Sequence, residues 1–261
     1  DATIAGGFVG RSAELSRLEA DFDAVRNGEK RVVLIMGEAG IGKTRLAKEF
    51  AGRLSGARAE VLWGRCFEGE DPPPYRPWVS ALRTHCLETD PAELTPELGA
   101  GAGDIAELIP ELKTMLDVEA PIPLLSPSEA RWRLYDALLD FLRAISRKRP
   151  LVLVLDSIQW ADSSSLRFLE HLVSEDTGIP CLVLGTCRES EPERQPELDH
   201  LLGECAKLEE YRPIYLSGLS REEVETYLQR VSEERPGEDL VDRLHSLTEG
   251  HPLFLVELAR A

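Results

Sequence analysis

Val32-Val33-Leu34-Ile35-Met36-Gly37-Glu38-Ala39-Gly40-Ile41-Gly42-Lys43-Thr44 decides the reading of this chain. Five apolar residues run into a complete G-x-x-x-x-G-K-[ST] loop of the Walker A form, and the helical pattern Leu46, Ala47, Phe50, Ala51, Leu54 follows. A buried strand feeding a glycine-rich turn and then a helix aims consecutive backbone N–H groups, and the positive end of a helix dipole, at one spot. A chance glycine-rich turn is the alternative, and the completeness of the motif in its strand-then-helix setting speaks against it.

A nucleoside triphosphate is the expected occupant. Gly37, Gly40 and Gly42 allow a close backbone approach to phosphates, Lys43 carries a mobile charge for them, and the Thr44 hydroxyl is a hard oxygen ligand for Mg²⁺.

Composition bounds the rest. The chain has 261 residues, 43% apolar and 30% charged, room for one large domain or a large and a small one. A formal net charge of −17, with only the short basic run Arg147-Lys148-Arg149, argues against direct nucleic-acid binding. That run is read as the close of a helix, where cations suit the dipole. No stretch reaches the roughly 18 apolar residues that a membrane helix needs. The first residues lack the order of a signal peptide, so a cytoplasmic location without membrane attachment is expected. The chain begins without Met and stops inside a helical pattern, which suggests a segment of something longer. Cys66, Cys86, Cys181, Cys187 and Cys205 are scattered without C-x-x-C pairs and are expected to be reduced core thiols.

Apolar runs at 32–36, 60–64, 151–155, 181–185 and 214–216 alternate with amphipathic patterns. Short Val, Leu and Ile runs between helices predict a doubly wound α/β fold, a parallel five-stranded sheet covered on both faces. A helix is expected over 78–87. Another starts at Ser126-Pro127-Ser128-Glu129 and carries Trp132, Leu134, Tyr135, Leu138, Leu139, Leu142 and Ile145 at helical spacing, a stripe read as core. Residues 68–75 read as a proline-rich connection and 89–127 as an irregular insertion. Beyond Leu216 the strand signals stop, and helices are expected near 221–231, 238–248 and 252–260. The expected boundaries are 1–216 for a nucleotide-binding α/β domain and 217–261 for a small C-terminal helical subdomain, read as truncated.

The third run ends in Asp156, an acid at the carboxyl end of what reads as the strand next to the phosphate loop. It is a candidate for binding Mg²⁺ through water, with a helix cap as the alternative. Hydrolysis usually needs a second acid for the attacking water, and the next residue is Ser157. Arg188 follows the fourth run. A guanidinium there can sense a γ-phosphate, or it forms a surface salt bridge.

Phe8-Val9-Gly10-Arg11, the phosphate loop, Leu155-Asp156 leading to Trp160-Ala161-Asp162, Thr186-Cys187-Arg188, and Glu249-Gly250-His251-Pro252-Leu253-Phe254-Leu255 occur in order along the chain. Together they resemble the STAND class of signal-transduction ATPases, within the AAA-type P-loop NTPases. The pattern is similar to that of the ATPase modules of large bacterial regulators of the LuxR type and of cyclase-linked regulators. The resemblance implies that Val9, Gly10 and Arg11 lie by adenine and ribose, and that Gly37, Gly40, Ile41, Gly42, Lys43, Thr44 and Arg45 hold the phosphates. It further implies that Thr44 and Asp156 serve the metal, that Arg188 senses the γ-phosphate, and that Pro252 rests on the adenine. Lys43, Asp156 and Arg188 would carry catalysis. His251 is read as structural. Relatives usually carry two adjacent acids before Trp-Ala-Asp, and Ser157 departs from that pattern. Asp162 is read as a helix cap more readily than as a replacement base.

The expected function is an ATP/ADP-binding switch with Mg²⁺ and slow hydrolysis, serving signal transduction or transcription control through other domains of a longer protein. A nucleotide-dependent oligomer is kept open. The rival is an active ATPase or phosphotransferase, working on a bound substrate or as an oligomeric ring.

Overall fold

A computed structural model describes residues 7–54, 58–69, 73–118, 121, 126–175, 177–189, 195–232 and 235–260. Residues 1–6, the middle of the proline-rich connection (70–72) and part of the expected insertion (119–120, 122–125) lie outside these.

The elements run α1 (Ser12–Arg26), β1 (Arg31–Gly37), α2 (Lys43–Leu54), β2 (Glu60–Arg65), α3 (Arg76–Glu88), α4 (Pro91–Leu98), α5 (Ala102–Leu108), α6 (Glu111–Met115), α7 (Pro127–Lys148), β3 (Leu151–Asp156), α8 (Ser163–Ser174), β4 (Cys181–Arg188), α9 (Pro196–Cys205), β5 (Tyr211–Tyr215), α10 (Arg221–Ser232), α11 (Glu238–Thr248) and α12 (Pro252–Arg260). The five strands form one sheet in the order β2-β3-β4-β1-β5, and every pairing is parallel. This is the doubly wound P-loop core that the apolar runs predict.

The order corrects one expectation: β3, which carries Asp156, is not beside β1, because β4 lies between them. Sequence spacing gives strands but not their lateral order.

Strand residues alternate faces, and the burial follows suit. Val33 and Ile35 of β1, Val152 and Val154 of β3, and Leu182 and Leu184 of β4 pack with α1 and α2. Val32, Leu34, Leu151, Leu153, Cys181 and Val183 face the opposite layer, built from α3 to α9.

Residues 89–127, expected to be irregular, contain α4, α5 and α6 instead. Asp90 accepts from the Ala92 amide as cap of α4, with Pro91 in its first turn, and Leu94, Leu98, Ile105, Ile109 and Leu112 are fully buried. α4 and α5 pack on α7, and α6 packs on α5. These three are too short, and too punctuated by Pro and Gly, to show a clear period. Trp132 is a further correction, since it is 50% exposed while Tyr135 beneath it is buried. The last strand starts earlier than the apolar run suggested, at Tyr211, and carries Pro213, a residue tolerated on an edge strand.

α10, α11 and α12 gather their own apolar cluster of Leu219, Val224, Tyr227, Leu228, Val241, Leu255 and Val256. None of the five cysteines forms a disulfide and all are buried, and burial pushes the Cys66 and Cys181 thiols up to about 12.

Candidate functional site

The carboxyl ends of β1, β3 and β4 meet at one edge of the sheet. Gly37 pairs with Arg188 in the β1–β4 register, so the phosphate loop and the end of β4 are neighbours. Within the loop, Gly40 and Gly42 have φ of 79° and 103°, values that favour glycine. A Cβ on Gly42 would meet nothing within 4 Å, so this part of the backbone faces open space. α2 starts at Lys43 with no acidic residue in its first turn, and its first amides are the ones a helix leaves without partners. Backbone donors and a helix N-terminus suit an anion.

Lys43 lies along the loop. Its Nζ donates to the carbonyls of Gly37 at 2.8 Å and Glu38 at 2.6 Å. The Thr44 hydroxyl donates to Asp156 Oδ1 at 2.7 Å. Having given its proton to the carboxylate, Thr44 has oxygen lone pairs to offer a cation. Asp156 is 1% exposed, and its Oδ2 lies 3.9 Å from Arg65 Nε. It accepts from side chains at the strand end and caps no helix, which removes the alternative reading of this residue. A hydroxyl and a carboxylate at the foot of the loop are hard oxygens of the kind Mg²⁺ takes alongside phosphate oxygens, so the residues present fit a metal-nucleotide complex.

Ser157 follows in the left-handed region, φ 64° and ψ 50°. The turn it makes leads into Ile158–Trp160, whose Trp160 ring carries the Arg188 guanidinium at 5.5 Å from its centroid. Asp162 caps α8: Oδ1 accepts from the Ser165 amide at 2.9 Å and the Tyr75 amide at 3.1 Å, and Oδ2 from the Ser165 hydroxyl at 2.6 Å. With both oxygens engaged, it is the cap that the sequence favoured.

A cleft of about 270 Å³ opens beside the loop and is lined by Phe8, Val9, Arg11, Gly40, Ile41, Gly42, Arg45, Leu219, Tyr227, Pro252, Leu253, Leu255 and Val256. Seven residues singled out in the sequence thus share one wall set: Val9, Arg11, Gly40, Ile41, Gly42, Arg45 and Pro252. Gly10, Gly37, Lys43, Thr44, Asp156 and Arg188 are not part of that lining; Thr44 and Asp156 meet one another, and Gly37 meets Arg188. Arg11 is buried, and its guanidinium is held by Glu14, the Ile41 carbonyl and the Ser217 carbonyl. Its amide donates to Glu223 at 2.9 Å, and Arg230 donates to the Phe8 carbonyl at 2.8 Å. The segment before α1 is therefore pinned to α10.

The C-terminal helices touch the loop itself. His251 Nε2 donates to the Ala39 carbonyl at 3.0 Å, and Leu219 donates to the Gly250 carbonyl at 2.7 Å. A Cβ on Gly40 would lie 2.9 Å from Leu253 Cβ. The contacts of Thr186, Trp160 and His251 are not legible in the sequence, because each depends on which elements become neighbours.

The profile of the AAA ATPase domain family matches residues 7–184, well over half of the chain. The chain belongs to that family. An uncharacterized protein of Rhizobium meliloti (strain 1021) is 27% identical over 200 residues, which is 72% of this chain and 19% of the relative. The hybrid signal transduction histidine kinase G of Dictyostelium discoideum is 29% identical over 184 residues, 66% of this chain and 5% of that protein. The chain thus spans a fifth or less of these relatives. Among solved structures, a Signal Transduction ATPase with Numerous Domains (STAND) protein with a tetratricopeptide repeat sensor, from Pyrococcus horikoshii, superposes with a TM-score of 0.52 at 19% identity, over 95% of this chain and 29% of that one. A Walker-type ATPase of Pyrococcus abyssi gives 0.55 at 13% identity, over 98% and 68%. These likenesses speak for the fold alone. Among the described residues, no helix is long and apolar enough to cross a membrane.

Proposed function

We propose that this AAA ATPase domain is an ATP/ADP-dependent switch within a longer signalling or transcription-regulating protein, and that it hydrolyses ATP slowly. The observation that carries the reading is the composition of the cleft. Its walls come both from the phosphate loop and from α10 and α12, so an occupant would touch both at once and bias how they sit together. A ligand shifts two arrangements only when it binds them unequally.

Adenine would lie on the apolar wall of Val9, Tyr227, Leu255 and Val256 beside Pro252. The loop amides and Lys43 would take the phosphates, with Lys43 leaving the Gly37 and Glu38 carbonyls to do so. Thr44 and Asp156 would hold Mg²⁺, which when bound neutralises phosphate charge and orients the terminal phosphate. Arg188 on its Trp160 platform would distinguish the triphosphate from the diphosphate. Ser157 has no carboxylate with which to take a proton from water, and Asp162 is committed to α8; both favour slow turnover over an active ATPase.

Nucleotide released from the purified protein and identified by chromatography tests the switch. Stoichiometric ADP or ATP is expected. Protein that carries none and binds neither by calorimetry would end the proposal.

A further inference from the structure

Thr186 is fully buried at the end of β4. Its hydroxyl lies 2.7 Å from the Ser157 amide and 2.7 Å from Asp156 Oδ1. The direction of this chain is forced. An amide can only donate, so the hydroxyl receives the Ser157 N–H and must pass its own proton to the carboxylate. Asp156 Oδ1 accordingly receives two hydroxyl protons, from Thr44 and from Thr186.

The sheet explains why these groups meet. Val152 and Val154 of β3 and Leu182 and Leu184 of β4 point to the face covered by α2. A period of two carries Asp156, Thr186 and Arg188 onto that same face, where α2 presents Thr44. Thr186 thus joins three things in one short network: the carboxylate at the end of β3, the left-handed Ser157 turn that leads to Trp160, and the strand that ends in Arg188.

We propose that Thr186 is a positioning residue for the Mg²⁺-nucleotide complex, acting through Asp156 and the Ser157 turn; the inference rests on the nucleotide-switch reading. Mg²⁺ demands near-octahedral geometry at short distances. A carboxylate free to swing, or a Thr44 hydroxyl that must follow it, loses the arrangement before the ion arrives. Partners that orient a metal ligand commonly contribute 10- to 100-fold to metal affinity. The role makes no contact with nucleotide, so it should be invisible to nucleotide binding without metal.

The test is calorimetric titration of the 261-residue chain with ATP, with and without Mg²⁺. The intact chain should bind ATP more tightly with Mg²⁺. Thr186→Val, which keeps the shape and removes the hydroxyl, should cut that gain on the order of tenfold and leave metal-free affinity within about twofold, inside the few tenths of a kcal/mol by which contact-free effects ordinarily scatter. Thr186→Ser should restore the gain. The double variant Asp156→Asn/Thr186→Val should lose no more than Asp156→Asn alone, because groups acting through one another are not additive. If Thr186→Val does not fold, as judged by its melting curve, Thr186→Cys replaces it, since a thiol is a weak donor, and an intermediate loss is expected. A Thr186→Val chain that keeps the full Mg²⁺ gain, or loses metal-free and metal-assisted affinity equally, overturns the inference. So does an intact chain that binds ATP with no Mg²⁺ gain, which leaves the switch standing. An intact chain that binds no nucleotide at all brings down the switch reading and this inference with it.

Discussion

Ser157 holds the position that most affects chemistry. Its left-handed backbone, φ 64°, is tolerated better by Asp and Asn than by most residues with a Cβ, so a carboxylate can be introduced there without backbone penalty. Ser157→Asp should raise single-turnover ATP hydrolysis on the order of 10² to 10⁴ over the unmodified chain, the usual range of general-base assistance. Ser157→Asn, equal in shape but no base, should not. Brisk turnover in the unmodified chain, or equal rates in the two variants, would count against the account. Arg188 gives a second residue-scale outcome. Arg188→Ala should weaken binding of a non-hydrolysable ATP analogue about tenfold while moving ADP little, since a charge-assisted contact to one phosphate is worth roughly 1.4 kcal/mol or more. Equal losses in competition titrations would reduce Arg188 to general electrostatics. At this scale the sequence was a good guide where chemistry is local. The phosphate loop is an unbroken motif, Asp156 closes an unbroken apolar run, and the Asp162 cap is legible from the serines after it. The Arg188–Trp160 stack and the Thr186 bridge are not, because they join strands far apart in sequence whose adjacency no local pattern records.

Between elements, the informative case is His85, which ties β2, α3 and α4. Its Nδ1 meets Glu60 at 2.9 Å and its Nε2 meets Glu97 at 2.8 Å, while Lys148 at the end of α7 reaches Glu97 at 2.6 Å. Burial alone would lower the imidazole's pKa, but the hydrogen bonds to Glu60 and Glu97 outweigh it, and the net shift is upward. Glu60 moves down, chiefly through its bond to His85. The signs follow. A raised His pKa stabilises the fold fully below the unfolded value of about 6.5, and that contribution is lost as pH rises through the folded value. A lowered Glu pKa stabilises above its unfolded value of about 4.3, and that contribution is lost as pH falls through the folded one. The melting-temperature advantage of the intact chain over His85→Gln should therefore peak between these limits, near pH 5 to 6, and shrink toward pH 9. A difference that stays flat or grows with pH would show that the clamp does not depend on charge. The same region was the least legible in the sequence. Pro91, Pro96 and Pro110 and the glycines at 99 and 101 read as breakers, although proline at a helix start is no break. Burial of Leu94, Ile105 and Leu112 in the shared core supplies what short helices lack on their own.

For the whole molecule, the account turns on α12 resting on the phosphate loop. Gly40 lies at φ 79° with Leu253 2.9 Å from where a Cβ would stand. Gly40→Ala meets both a disfavoured backbone, costing about 1 to 2 kcal/mol, and a collision, so the C-terminal helices should loosen from the loop. Amides of residues 238–260 should exchange faster with deuterium in that variant, and unchanged protection would mean the contact is incidental. The alternation of apolar runs and amphipathic patterns was enough to foresee the layered parallel sheet and the three closing helices. It could not foresee their docking, because His251 and Leu253 find the loop only after β5 has turned the chain back.

The central claim is that this cleft binds adenine nucleotide through the phosphate loop. Calorimetric titration of the intact chain and of Lys43→Ala with Mg²⁺-ADP tests it most directly. The account predicts saturable one-to-one binding that weakens at least tenfold, about 1.4 kcal/mol, in a Lys43→Ala protein with an unchanged melting curve. Identical affinities in the two proteins, or no binding in either, would contradict it.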